Sequence, residues 1–398
     1  MTDTVILYED DAAISLEPIS LTRPVWDLRC GIRCLSDKII SHFPNASIYG
    51  ITRDYLRPAS KIPLPPDNIS EDVLCISGAC LAGVKFTEIE KLQPGEAAVN
   101  RARIVAFRGK APAGWQAGTF LTLEGFQIVE VSDNVCRSLQ YTWDLVNAMN
   151  DENAREARQL FKLGTVDGHL MRSVTLINES EIYIGSGAQV SPQVLLDASH
   201  GPIVIDEGVK IGANSVIEGP TVIGLKSQVK PLTHIRGSCL GEQCRVGGEV
   251  SVSIIQGYTN KQHGGFLGHS FLGEWCNLGS GTETSNLKNN YTPVKVQVGD
   301  KLIDSGTLFV GLTMGDHSKT AIGTVLNTGT VVGVGCIVFG AGFPPRNIPS
   351  FHWGGAEKLT RYHLKPTIET AQQVMHRRDR ALTDNDREIL TWIYHNRT

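Results

Sequence analysis

Two stretches of this chain concentrate groups able to move a proton or hold an anion. The first, Gly257-Tyr258-Thr-Asn-Lys261-Gln-His263-Gly-Gly-Phe-Leu-Gly268, sets an imidazole beside a lysine and a tyrosine. The second, Thr284-Ser-Asn286-Leu-Lys288-Asn-Asn-Tyr291, offers an amide, another lysine and another tyrosine. Imidazole titrates near neutrality, so His263 is suited to take the proton of an attacking nucleophile. A lone loop histidine is most often only solvated, and what raises His263 above that reading is its surroundings. His269, just downstream, and His317 in Met314-Gly-Asp-His317-Ser-Lys319 are weaker candidates.

Those surroundings are a repeat. Ile205, Ile211, Ile217, Ile223, Val229 and Ile235 fall at every sixth position without a miss, and the step recurs at Ile184, Val190 and Leu196, at Leu240, Val246 and Val252, and at Leu326, Val332 and Val338. Neither a helix nor an ordinary strand generates a period of six. A coil of short parallel strands does, with the aliphatic inside, a small or β-branched residue such as Ser215, Thr221 or Thr233 packed near it, and a corner at each repeat. The regularity fails between Gly257 and Gly268 and again between Asn286 and Leu308. Interruptions of a rigid scaffold are loops, where active sites tend to sit.

This pattern resembles the left-handed parallel β-helix of hexapeptide acyltransferases, whose members are usually trimers binding acetyl-CoA between neighbouring coils. The run from His263 to Gly273, followed by Asn277-Leu-Gly-Ser-Gly-Thr282 and by Asn286, is similar in spacing to the acetyltransferase half of the bacterial bifunctional N-acetylglucosamine-1-phosphate uridylyltransferase/glucosamine-1-phosphate acetyltransferase, as is Gly248-Glu-Val-Ser-Val-Ser-Ile-Ile255 upstream. The resemblance implies that His263 is the general base for the substrate amine and that Asn286 contacts sugar or acyl group. It makes Arg236, Lys261 and Lys288 candidates for the sugar phosphate and Tyr258 and Tyr291 candidate hydroxyl donors.

Before the coil, Val5–Tyr8, Ser47–Gly50, Val73–Ile76 and Ala102–Phe107 look like buried strands, and residues 25–43 carry apolar residues at helical spacing. Such alternation suggests an α/β domain. In the bifunctional family the first domain is a sugar nucleotidyltransferase that opens on a strand and a Gly-x-Gly-Thr-Arg loop. Here the strand leads into Glu9-Asp10-Asp11-Ala-Ala-Ile14, so three carboxylates stand where backbone N–H groups would cradle a triphosphate. The family's metal-binding Asp is also missing, its place being taken by Cys75-Ile-Ser-Gly-Ala-Cys80. Arg23, Arg29 and Arg33 remain candidates for nucleotide phosphates, with Lys38 beside them, and Asp10 or Asp11 for Mg²⁺. A solvated helix face accounts equally for Arg29, Arg33 and Lys38. Leu21-Thr-Arg-Pro-Val25, Asp27-Leu-Arg29, Gly31-Ile-Arg33 and Gly340-Ala-Gly-Phe-Pro-Pro345 are similar to a divergent, alternative form of the bifunctional family, over nearly the full length.

The chain has 398 residues and a formal net charge of -4 with no long run of one sign. That balance supports neither nucleic acid nor a membrane surface as the main partner, so local basic residues must hold any anionic substrate. No segment approaches the ~18 apolar residues of a membrane span, and Met1-Thr-Asp-Thr has no basic leader; a cytoplasmic protein is expected. Nine cysteines, odd in number and without a C-x-x-C pair, read as buried thiols rather than disulfides or zinc ligands.

The expected architecture is a Rossmann-like α/β nucleotidyltransferase-like domain over 1–135, a helical linker over 136–165, a left-handed β-helix over 166–350 and C-terminal helices over 351–398. The last two helices are expected at about 366–381 and 384–396, Thr383 and Asp386 forming a capping box. The expected activity is N-acetylation of glucosamine 1-phosphate from acetyl-CoA, with uridylylation by UTP and Mg²⁺ as a second step and a homotrimer as the assembly. Two alternatives stand beside it: a first domain that only binds a sugar nucleotide, and a structural trimer without catalysis.

Overall fold

The chain is described here from a computed structural model covering residues 3–67, 69 and 72–397. It divides into two compact units, one of residues 3–29 and 33–141, the other of residues 30–32 and 142–397.

The first unit is built on a six-stranded mixed sheet of β1 (Thr4–Tyr8), β2 (Ser47–Ile51), β3 (Leu74–Ser77), β5 (Glu96–Asn100), β6 (Arg103–Arg108) and β7 (Gln127–Glu130), in the order β2-β1-β3-β6-β5-β7. The β1 strand pairs in parallel with both β2 and β3, which gives the Rossmann-like part, and β6 runs antiparallel to β3 and β5. Val5, Leu7, Leu74 and Ile76 alternate into one core layer and Ile6, Tyr8 and Cys75 into the other, as a sheet covered on both faces requires. The helical stretch expected over 25–43 is mostly not helix: a 3₁₀ turn at Val25–Asp27 and α2 (Leu35–Ile40) are separated by a hairpin-like bridge between Arg29 and Cys34. Gly31, at φ 86°, is what turns the chain between them.

A small ladder of β4 (Cys80–Ala82) and β8 (Cys136–Ser138) overturns two further expectations. Part of the stretch expected to open the helical linker is strand. Cys80 and Cys136, on these paired strands with Cα atoms 6.2 Å apart, are joined as a disulfide instead of being separate thiols. Their separation of 56 residues hid that proximity. The other seven cysteines are thiols, and all but Cys34 are buried.

The second unit is a parallel coil of about ten turns whose strands form faces of six, nine and eleven strands. Every aliphatic of the unbroken run from Ile205 to Ile235 is buried inside it. On the six-stranded face, Ile217, Ile235, Val250 and Leu267 lie in register pointing inward, while their strand neighbours point out. The interruption after Asn286 is a loop carrying an antiparallel hairpin, Lys295–Val298 with Lys301–Asp304. The long α3 (Thr142–Leu160) follows the coil: Leu145, Val146 and Met149 are buried, and Asn153 Nδ2 donates to the carbonyls of Pro220 and Ser238, both at 3.3 Å. Glu156 accepts the Ile32 amide at 2.8 Å, and Cys239 Sγ donates to the Gly31 carbonyl, fixing residues 30–32 to this unit. At the far end, α4 (Leu364–His376) and α5 (Asp384–Asn396) follow, the latter opened by the reciprocal Thr383–Asp386 cap. Arg378 reaches the Gln243 carbonyl at 2.9 Å and Asn260 Oδ1 at 2.7 Å, so the tail runs back along the coil as well as closing it.

Asn153 is fully buried and bridges two coil turns. Asn153→Ala leaves both carbonyls without that donor and is expected to cost about 1–3 kcal/mol, measurable as a lowered urea midpoint.

Candidate functional site

The outward positions of Phe266–Gly268 and of the strands paired below it define the candidate site. Along the six-stranded face two columns point outward: His234, Glu249 and Phe266 in one, Arg236, Ser251 and Gly268 in the other. His263 lies at the corner entering this face and His269 at the corner leaving it. The face between them is one short strand wide, about 10 Å for three residues.

At the leaving corner four residues come together. Asn286 Nδ2 lies 2.8 Å from His269 Nδ1, the His269 ring stacks on Phe309 with centroids 4.8 Å apart, and Arg236 extends from the same edge with its Nη2 3.2 Å from Ser251 Oγ. Burial pushes the His269 pKa down to about 4, with the Arg236 charge acting in the same direction. An asparagine nitrogen only donates, so His269 Nδ1 is the acceptor and the ring proton sits on Nε2. This turns Asn286 Oδ1 away from His269, where it can accept an N–H or O–H from a ligand. Gly268 makes the arrangement possible: a Cβ there would stand 2.4 Å from the Phe266 ring and 2.6 Å from Asn286 Nδ2.

At the entering corner His263 is exposed, and its carbonyl accepts from Lys261 Nζ at 3.0 Å. Lys261 is not on the surface. It is buried inside the coil, and its ammonium also donates to the Gly247 carbonyl at 2.7 Å, so it cannot serve as a phosphate ligand while so placed. Burial lowers its pKa to about 8, against the pull of Glu283 and Glu249.

Of the remaining candidates, Tyr258 belongs elsewhere. It is buried on another edge of the coil, stacked on Trp275 at 4.3 Å, with its hydroxyl 2.5 Å from Glu242 Oε1 and 2.7 Å from Arg380 Nη2. It anchors the tail. Lys288 is turned into its own loop, donating to Thr292 Oγ1 and the Pro293 carbonyl, whereas Tyr291 is 70% exposed on the same loop. The structure therefore brings Arg236 and Asn286 together, sets His263 across the strand from them, and separates Lys261, Lys288 and Tyr258 from any shared ligand position. His269, a weaker candidate in the sequence, joins this group, and Phe309 is added; its stacking across 40 residues had no local signal.

In the first unit the three carboxylates after β1 all have internal partners. Glu9, fully buried, accepts from the Val25 amide at 2.8 Å, Thr52 Oγ1 at 2.6 Å, and the Arg53 amide and guanidinium at 3.0–3.1 Å. Arg103 Nη2 donates to Asp10 at 3.0 Å and to Asp11 at 2.5 Å, and the second Asp10 oxygen takes the Ala12 amide at 2.9 Å. A guanidinium thus fills the position expected for Mg²⁺, and the residues present do not fit the ion. Among the described residues no cluster of three or more His, Cys, Asp or Glu could hold a metal. Arg23 lies beside Asp27, whose pKa burial raises to about 6, Arg29 lies beside Cys34, and Arg33 is half-buried. Lys38 is buried, which removes it from a phosphate-facing surface.

Residues 5–163 match the family described as sugar nucleotidyl transferase. The chain is 29% identical over 182 residues to the bifunctional protein GlmU of Acaryochloris marina, covering 40% of each chain. It is 39% identical over 153 residues to the GlmU protein of Methanocaldococcus jannaschii, covering 38% of this chain and 37% of that one. It thus spans about two fifths of the length of these relatives. A UDP-N-acetylglucosamine acyltransferase from Campylobacter jejuni is 11% identical over 58% of this chain and 96% of its own, with a TM-score of 0.21, so the coil rests on the strand pairing described above. The chain is thus similar to GlmU proteins over part of its length, with a region that matches the sugar nucleotidyl transferase model and a parallel coil after it. No helix among the described residues is long and apolar enough to cross a membrane.

The depressed His269 pKa has a defined sign. The unfolded chain takes up this proton near the ordinary ~6.5 and the folded chain only near 4, so stability present above pH 6.5 is lost as pH falls through that window. Urea titrations at about pH 7 and about pH 5 should show the parent weakening more than His269→Phe, which keeps an aromatic against Phe309 but cannot titrate.

Proposed function

We propose that the coil is an acetyl-CoA-dependent N-acetyltransferase for a hexosamine 1-phosphate, glucosamine 1-phosphate in the first instance. The observation that carries this reading is the placement of His263 and the Arg236–His269–Asn286 group on opposite edges of Phe266–Gly268, a span comparable with a hexose phosphate. Arg236 would hold the phosphate and Asn286 Oδ1 would accept from a sugar N–H or O–H. The substrate nitrogen attacks the thioester carbonyl carbon, the C–S bond breaks, coenzyme A leaves as thiolate, and His263 takes the proton released by nitrogen. Acetyl-CoA would lie in a groove between neighbouring copies of the coil, which makes a homotrimer part of the proposal; sedimentation showing only monomer at working concentrations would remove that part.

His263→Ala is expected to slow acetyl transfer by about 10²–10⁴-fold, read by mass spectrometry of the N-acetyl product. A variant as fast as the parent would sink the mechanism.

For the first unit a second reading is favoured by a specific observation. Glu9, Asp10 and Asp11 are already neutralised by Arg53 and Arg103, which leaves no acidic pair to hold Mg²⁺. A sugar-nucleotide binding module without phosphoryl chemistry fits this better than uridylylation. Incubation with UTP, Mg²⁺ and N-acetylglucosamine 1-phosphate should release no pyrophosphate; turnover in that assay would restore the uridylyltransferase reading.

A further inference from the structure

The lysine inside the coil is in an unusual place. In the eleven-stranded face its inward position is held in other turns by Val190, Ile211, Val229, Val246, Leu278 and Val338, with Thr320 the one other polar residue among them. A primary ammonium buried among aliphatics is costly unless its protons are bonded, so the position invites the question of what Lys261 supplies.

Ordinary corners entering the six-stranded face answer it. In two of them the first residue after the inward aliphatic exposes a carbonyl and a Ser or Thr three residues later caps it: Ser215 Oγ donates to the Gly212 carbonyl at 2.8 Å and Thr233 Oγ1 to the Lys230 carbonyl at 2.6 Å. Other corners lack that hydroxyl: Val194 stands at the cap position after Val190, and the two successive corners after Val246 and Lys261 have none. After Val246 the corner is shortened to Gly247-Gly248, and after Lys261 the fourth residue is Gly265. Lys261 Nζ donates into both, to the Gly247 carbonyl at 2.7 Å, the same place in the corner that Ser215 and Thr233 cap, and to the His263 carbonyl at 3.0 Å.

We infer that Lys261 is a positioning residue: a brace inside the coil that takes the place of a hydroxyl cap at Gly247, holds the carbonyl of His263 in the next corner, and so fixes the backbone from which His263 projects. The inference rests on the acetyltransferase reading for its effect on rate but not for its effect on the loop. The ammonium is the suitable group because one serine reaches one corner, whereas a four-carbon stem filling the aliphatic slot delivers three donors to carbonyls of two turns. Glu249 and Glu283 on the outward face, the charged neighbours of this ammonium, favour its protonated form.

The test is Lys261→Met, which keeps the stem and removes the donors, with Lys261→Gln as a second variant that keeps an N–H. Amide hydrogen exchange is followed over residues 262–265 and, as an internal control, over 229–233. Lys261→Met should exchange faster in the first segment only, with the thermal midpoint retained. The same variant should lose up to about a hundredfold in kcat for acetyl transfer with KM for acetyl-CoA unchanged, and Lys261→Gln should fall between it and the parent. Unchanged exchange at 262–265 in both variants overturns the inference, as does faster exchange spread equally over both segments, which marks a purely structural lysine. If Met at this position prevents folding, the Gln variant is read against the same two segments. A parent protein that does not acetylate at all refutes the acetyltransferase reading, while the exchange result still decides the brace.

Discussion

The inward stack of the coil is the constraint from which the rest follows. No single turn can bury its own aliphatics; each is closed above and below by the turns it pairs with, so Ile211, Val229 and Val246 are held in place by register as much as by their own contacts. Register in turn dictates what lies on the outside. Once Ile235, Val250 and Leu267 point inward, Arg236, Ser251 and Gly268 are forced into one outward column, and the corners that flank them are delivered to the two edges of a face one strand wide. The candidate site is an outcome of that geometry: a rigid ladder presents residues distant in sequence without a pocket having to be built around them.

Departures from the stack are accordingly informative. A lysine at an inward position and two corners without hydroxyls occur together, in consecutive turns, where the exposed histidine sits. The insertion after Asn286 occupies the other edge and contributes Phe309 against His269. In both places a local rule is broken and a specific contact compensates, which is the signature expected of a functional region on an otherwise self-consistent fold.

The first unit follows the opposite logic. Its sheet retains parallel β1, β2 and β3, yet the loop leaving β1 has been rewired with acidic residues, each matched by an arginine from another part of the sheet, Arg53 after β2 and Arg103 in β6. Each carboxylate and its arginine hold the loop in one arrangement, since removing either partner leaves a buried charge uncompensated. They also remove from the loop the backbone donors and open charge that phosphate chemistry requires.

The six-residue period, read alone, determined the coil, most of its inward residues and the insertion after Asn286, because burial by stacking imposes the same residue type at every turn. Val252 instead lies at a corner at φ 46°, and the stretch from Gly257 to Gly268, read as an interruption, is a continuous turn whose strands pair with their neighbours. Strand positions in the first unit and the Thr383–Asp386 cap were legible for the same reason: each is a local pattern with a local cause. Tertiary structure decided the rest. Whether a lysine in an interruption faces solvent or the interior depends on which turn it pairs with, and Lys261 falls in the Val246 column. Whether Asp10 and Asp11 meet a metal or a guanidinium depends on Arg103, more than 90 residues away. Tyr258, Phe309 and the Cys80–Cys136 pair were assigned by long-range contacts that no window of sequence contains.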